Sequence, residues 1–283
     1  MKRFFALIAS LGCLFFAGYG GGLWWKSAHT QRLTILHVND THSHLEPVRA
    51  GELAGRGGAL ERVAFVDSVR VADGPSNVLL LHAGDFSQGT SYFSEFGAPL
   101  MVSVLNAMQY DVVTLGNHEF DNGIEALASA LADCTVPVVV CNYDFSSLPL
   151  GKYVKPYVIV EKAGRRIGVV GVLCSLGAMV PAETSSRLVE LDMVSSLQST
   201  VDAIRPECDM VIALTHIGYT EHNPGDITDP QLCAATRGID LFVGGHSHTF
   251  MSSPAYVRNL DGRRIPIVQS GWTGAVMGEM HWK

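Results

Sequence analysis

One pattern recurs along the whole chain. An apolar run of strand length stops at a cluster of Asp, His or Asn, and a segment of helical period follows. "LTILHVND" (33–40) leads into "DTHSH", "NVLLLHAGD" (77–85) stops at Asp85, and "DVVTLGNHEFD" (111–121) ends in Asn117, His118, Glu119 and Asp121. Further on, "DMVIALTHIGY" reaches His216 and "IDLFVGGHSHT" reaches His246 and His248. Apolar runs of this length, bounded by turn residues, read as buried strands. Between them lies helical spacing. In "GGALERVAFVDSVRVA", Leu60, Val63, Ala64, Val66 and Val69 are expected to share a face. "GAPLMVSVLNAMQY", "GIEALASALADC" and "VSSLQSTVDAIRPE", the last stopped by Pro206, continue the alternation. Strands alternating with helices predict an α/β chain whose sheet faces are covered by helices. "YVIVEKAGRRIGVVGVL" (157–173) breaks the rhythm: two β-rich stretches around "KAGR" predict a hairpin, hence some antiparallel pairing.

In α/β folds, sites form beyond the carboxyl ends of strands. Five strand ends here deliver Asp40 and His42; Asp85; Asn117, His118 and Asp121; His216; and His246 and His248. That exceeds the roughly four ligands of one tetrahedral zinc. It suits two divalent ions sharing a bridging carboxylate. Mixed Asp, His and Asn donors fit Zn, Mn or Fe.

The ends of the chain carry their own expectations. Lys2 and Arg3 precede the uncharged apolar stretch Phe4 to Gly18, the layout of a secretory signal, and the uncharged run continues to Trp25. Residues 1–28 are therefore expected to be a signal peptide or an N-terminal membrane anchor, and 29–283 one exported domain, periplasmic, extracellular or membrane-held facing outward. Cys134, Cys141, Cys174, Cys208 and Cys233 show no CxxC or zinc-knuckle spacing and mostly sit among apolar residues, so they read as small buried hydrophobes. The formal net charge is −7 and no Lys/Arg run occurs, which argues against a nucleic-acid scaffold.

Taken as a set, "DTHSH", "GDFSQG", "GNHEFD", "TH" and "GGHSH" resemble the five motifs of the calcineurin-like metallophosphoesterases, in the family's order and closest in wording to the 5′-nucleotidase branch. The resemblance spans nearly all of residues 33–280. It implies a four-layer α/β/β/α sandwich of two mixed sheets. It also implies Asp40, His42 and His248 as ligands of one metal, Asn117, His216 and His246 as ligands of the other, and Asp85 as the bridge. His118 and Asp121 resemble the family's catalytic pair, with Asp121 holding the His118 ring. The implied activity is hydrolysis of a small phosphate ester, a nucleotide foremost. Nucleotide-sugar, cyclic phosphodiester or thiosulfate-ester hydrolysis on the same frame is the alternative. No Arg occurs in "FSQGTSYF" after Asp85, which departs from the protein Ser/Thr phosphatases. Two-domain 5′-nucleotidases carry base-stacking aromatics and phosphate-binding arginines in a second domain beyond the counterpart of Lys283. A further expectation is thus a metal-binding subunit whose partner, a separate protein, supplies that domain. Among the remaining residues, Glu119 is expected to support the site. His44 and His82 orient ligands or simply pack. His222 reads as a loop residue, and Phe93 and Phe96 rim the site or belong to core or surface.

Overall fold

Alternation along the strands decides how the layers stack. In β1 (Leu33–Val38), Leu33 and Ile35 point to one face and Leu36 and Val38 to the other, and all four are fully buried. A strand apolar on both faces has to lie within a sheet covered on both sides. In the computed structural model, which describes residues 32–282 apart from Ala178, β1 is followed by β2 (Val78–Ala83), β3 (Val112–Thr114), β4 (Val138–Val139), β5 (Tyr143–Asp144), β6 (Val154–Lys155), β7 (Tyr157–Lys162), β8 (Arg165–Leu173), β9 (Val189–Glu190), β10 (Met210–His216), β11 (Leu241–Val243), β12 (Ala255–Arg258), β13 (Arg264–Val268) and β14 (Gly278–Trp282). The expected signal or anchor at 1–28 lies outside the described residues.

One six-stranded sheet has the order β14-β1-β2-β3-β4-β6, parallel except for β14. The other runs β12-β13-β11-β10-β8-β7, parallel in its middle with antiparallel strands at both edges. Between the sheets lies an apolar layer of Leu33, Ile35, Leu79 and Leu81 from the first and Ile167, Val169, Ile212 and Leu214 from the second. The opposite residues of the same strands face helices. Leu36, Val38 and Leu80 share a core with Val66, Met101, Leu105 and Leu127, and Val170, Val172 and Val211 with Leu197, Val201 and Ile204. The result is helix, sheet, sheet, helix: the four-layer sandwich of two mixed sheets.

Local chemistry explains the punctuation. The hairpin between β7 and β8 turns at Ala163 and Gly164, with φ of 52° and 70°. Two successive positive φ values are what a two-residue turn needs to match strand twist. The helix Met193–Ile204 is capped by Asp192, whose carboxylate accepts the Ser195 N–H at 2.8 Å, and Pro206 follows its end. The helix Ala59–Asp73 corrects one expectation: it buries Arg62, Val66 and Val69, while Leu60 is 83% exposed and Ala64 is exposed too. At about 100° per residue, Leu60 lies some 200° around the axis from Arg62. Leu60 thus faces water, while Arg62 turns inward and donates to the His44 carbonyl at 3.1 Å. Cys134, Cys141, Cys174, Cys208 and Cys233 are all free thiols. No helix among the described residues is long and apolar enough to cross a membrane.

Candidate metal centre

The strands that end in polar clusters discharge at one rim, and a hydrogen bond between the sheets fixes how they meet. His216, the last residue of β10, donates its Nδ1–H to the carbonyl of Ala83, the last residue of β2, at 2.7 Å. A carbonyl can only accept, so Nδ1 carries hydrogen and Nε2 is turned to the carboxylates, 3.1 Å from Asp85 Oδ2 and 3.8 Å from Asp40 Oδ1. Beyond it, two groups converge: Asp40 with His42 and His248, and Asp85 with His216 and His246, each with its ligand atoms within 4.8 Å of one another. In the first, the Nε2 atoms of His42 and His248 stand 3.1 Å apart, and Asp40 Oδ1 is 3.3 Å from the latter. Nitrogens held about 2.0–2.1 Å from a tetrahedral ion lie about 3.3–3.4 Å from each other, so this spacing suits a shared cation.

Two observations separate this arrangement from an ordinary buried network. Asp40 Oδ1, His216 Nε2 and His246 Nε2 are buried without a hydrogen-bonding partner; the close approach of His216 to Asp85 is off the direction of a good hydrogen bond. Buried polar atoms are nearly always satisfied, and these three aim at the space between the groups. The backbone is also strained there. Asp40, His42, Asp85, His246 and His248 all have φ between 46° and 81°. Left-handed conformations of non-glycine residues cost of order 1–3 kcal/mol each and concentrate at functional sites.

Charge follows from burial and neighbours. Burial works against the His216 imidazolium, but Asp85 and Asp40 outweigh it and push the ring up to about 10. Burial favours the neutral acid at Asp85, yet His216, His42 and His118 together hold it well below the ordinary carboxylate range. Burial and the charge on His216 press His246 down to about 3. One imidazolium thus sits among the carboxylates, and a cation bound at this point competes with its proton.

Glu119 organises the loops beneath. Its buried carboxylate accepts three backbone N–H groups, from Asp85 and Ser87 at 2.9 Å each and from Gly116 at 2.6 Å. Burial and Asp85 push it up to about 7. Gly116 is required by space: a Cβ there would stand 2.1 Å from Asp85 Oδ1. The same Oδ1 accepts the His118 backbone N–H at 2.9 Å. In Glu119→Gln, the amide NH2 would face at least one of those N–H groups. Leaving a buried donor unpaired costs about 1–3 kcal/mol. At about 2–4 °C per kcal/mol for a domain of this size, calorimetry should show Tm lowered by roughly 2–12 °C, and an unchanged Tm would count against the clamp.

The other expected residues fall as follows. The His118 Nδ1 is 2.9 Å from Asp121 Oδ2, and that hydrogen bond is the main cause raising the ring above its usual 6.5. Asn117 is buried, its Oδ1 3.9 Å from the Cys174 thiol, and it lines a cavity of about 280 Å³ with Asp85, His118, His246 and His248. All nine residues singled out in the sequence therefore reach one rim. His82 lies beneath, its Nε2 3.0 Å from the Thr41 hydroxyl, and His44 Nδ1 donates to the carbonyls of Thr41 and His42. Both sit behind the ligand loop. Phe93 and Phe96 are not among the cavity's lining residues. Sequence reasoning missed three others: Met179, Asn223 and His222, all of which line the cavity, with the His222 ring 5.0 Å from that of His246. It also missed Trp272, stacked on His248 at 5.3 Å and 6°. Only the Trp in "QSGWTG", close to the last motif's strand, hinted at that contact.

The chain matches the family described as calcineurin-like phosphoesterase over residues 33–250. Human 5′-nucleotidase is 32% identical to it over 91% of this chain and 47% of that protein. The crystal structure of the 5′-nucleotidase precursor from Thermus thermophilus superposes with a TM-score of 0.79 at 33% identity, covering 88% of this chain and 51% of that one. The NAD nucleotidase of Haemophilus influenzae gives 0.75 at 29% identity, over 88% of this chain and 47% of that one. The chain spans about half the length of these relatives.

Proposed function

The chain belongs to the calcineurin-like phosphoesterase family, and from that premise we propose that it is an exported phosphoesterase cleaving phosphate monoesters, nucleotides foremost, at a centre for two divalent cations. The observation carrying this reading is the trio of buried, unpartnered ligand atoms, Asp40 Oδ1, His216 Nε2 and His246 Nε2, aimed between two convergent groups. Asp40, His42 and His248 would hold one cation, Asn117, His216 and His246 the other, with Asp85 shared. The nitrogen and oxygen donors, without thiolate, fit Zn, Mn or Fe.

Cations bound there supply Lewis-acid charge at the phosphoryl oxygens and a nucleophile from water near neutral pH. The chain's own residues do the positioning. Gly116, Glu119 and the His118 N–H fix Asp85. His118 faces the cavity with Asp121 behind it, so its imidazolium persists and can give a proton to the departing oxygen as the P–O bond breaks. The test is hydrolysis by metal-reconstituted protein, read as phosphate release from AMP, other nucleoside monophosphates and p-nitrophenyl phosphate, and as formation of AMP and nicotinamide mononucleotide from NAD. Release from the monoesters is expected. A metal-loaded protein that cleaves none of them overturns the enzyme reading in favour of a subunit that works with a separate partner. The similarity to NAD nucleotidase supports one second reading, hydrolysis at a nucleotide-linked diphosphate, and cleavage of NAD alone would favour it.

Export rests on Lys2 and Arg3 ahead of the apolar stretch from Phe4. Fractionation of cells carrying a C-terminally tagged protein should recover it outside the cytoplasm, processed or membrane-held. A soluble cytoplasmic pool with its N-terminus untouched contradicts this.

A further inference from the structure

The loop after β10 forms one wall of the reaction cavity. His222 and Asn223 line the same cavity as Asp85, His118 and His246. Both are exposed, and the His222 ring has no hydrogen-bonding partner among the described residues. The loop is nonetheless tied down along its length. Tyr219 N–H donates to Ser247 Oγ at 2.9 Å, which fastens the loop's start to the segment between His246 and His248. Asp226 Oδ2 accepts the Asn223 backbone N–H at 2.7 Å and its side-chain NH2 at 3.2 Å. The far end is held by the Thr228–Gln231 capping box, with Gln231 Oε1 accepting the Thr228 N–H at 2.9 Å. Asp226 takes one of the two Asn223 amide hydrogens, so that side chain still offers Oδ1 as an acceptor and its second N–H as a donor. His222 adds a ring nitrogen that donates or accepts. Groups fixed in advance on a tethered loop bind with less ordering cost than mobile ones.

Charge chooses among the chemistries these groups could read. From Gly218 to Gln231 the loop carries Glu221, Asp226 and Asp229 and no Lys or Arg. A second phosphate or a carboxylate on the leaving group would find no cationic side chain on this loop. Hydroxyls would meet two side chains, each able to donate and to accept. Size agrees: pockets for drug-sized ligands run about 300–1,000 Å³, and this cavity, about 280 Å³, suits a phosphate and the first group attached to it.

We propose that His222 and Asn223 form a polyol subsite that hydrogen-bonds the hydroxyls of a sugar leaving group, making this loop a reader of sugar phosphates, ribonucleotides included. The proposal rests on the phosphomonoesterase reading above and adds to it the class of alcohol released. His222 and Asn223 are specificity residues; bond cleavage belongs to the cation centre and His118.

The experiment is steady-state kcat/KM of the metal-loaded protein for AMP, 2′,3′-dideoxy-AMP, ribose 5-phosphate and phenyl phosphate, in the wild type, His222→Ala and Asn223→Ala. A hydrogen bond to a neutral hydroxyl is worth about 0.5–1.5 kcal/mol net, so AMP should exceed its dideoxy analogue by about 5- to 160-fold if both residues act. Each single variant should shrink that ratio by about 2- to 13-fold, mostly through KM for the hydroxyl-bearing esters, and ribose 5-phosphate should follow AMP. Equal kcat/KM for AMP and dideoxy-AMP in the wild type, or a ratio that survives both substitutions, overturns the subsite and leaves the phosphoesterase reading intact. Cleavage of none of the four esters strikes down that reading and the subsite together.

Discussion

Asp85→Asn should cost the protein a cation and nearly all of its activity. The substitution is informative because it leaves so much else alone. Asp85 has φ 53°, and Asn is among the few residues that accept a left-handed backbone readily. The amide oxygen can still take the His118 N–H, which Asp85 Oδ1 accepts at 2.9 Å. What changes is the other oxygen, 3.1 Å from His216 Nε2: an anionic acceptor becomes an NH2 donor, and one of the two carboxylates in the clusters loses its charge. Two dications cannot sit side by side without that charge to offset their repulsion, and an amide nitrogen is no ligand for them. Elemental analysis should therefore fall from two ions per chain toward one or none. Loss of several kcal/mol of charge stabilisation, at about 1.4 kcal/mol per factor of ten, lowers kcat/KM by roughly 10³-fold or more. Far-UV circular dichroism should stay that of the folded wild type. Two tightly held ions in an active Asp85→Asn protein would refute Asp85 as the shared ligand, and with it the two-cation centre.

The convergence of the candidate site residues was legible in the sequence to the extent that it obeys strand chemistry. Asp40, Asp85, Asn117, His216 and His246 each follow an apolar run that has to be buried on both faces, and chains of parallel strands deliver such ends to a common rim. The hairpin at Ala163 and Gly164 was readable for a similar reason: a turn residue pair between two β-rich runs is a local signal. What the sequence hid is long-range or aperiodic. Nothing near His216 reveals that its Nδ1 will find the Ala83 carbonyl, 133 positions away. Glu119 looks like one more acid in a polar cluster until the fold surrounds it with three N–H groups. His222 sits in an exposed loop without apolar spacing, so its place on the cavity wall is decided by anchors at Ser247 and Gln231 that only the folded chain supplies. Leu60 failed for the opposite reason. Its spacing fits a helix stripe, but in the first turn Arg62 takes the inward place and Leu60 faces water, and the core takes its contacts from Val66 and Val69 further along.

Replacing His118 separates proton transfer from cation binding, because His118 lies between candidate ligands without belonging to either convergent group. His118→Ala should retain both ions and lose about 10²- to 10⁴-fold in rate, the usual worth of a positioned acid or base. Ions lost together with activity would make His118 a ligand instead. Its partner gives the pH test. The Asp121 hydrogen bond is the largest cause raising His118 above 6.5; burial opposes it, and Asp85 adds to it. A raised histidine keeps its proton as pH climbs past 6.5 and loses it only near the higher folded value, so a rate that needs the imidazolium holds through neutrality and falls on the alkaline side. The same sign applies to stability: the His118–Asp121 pair contributes fully below pH 6.5, and its contribution fades as pH rises through the raised value. In Asp121→Asn the largest raising cause is gone, and the alkaline limb of kcat/KM should move to lower pH while ion content stays constant. A limb that does not move, with activity otherwise intact, would mean that the group titrating there is not His118 and that the leaving oxygen takes its proton from elsewhere.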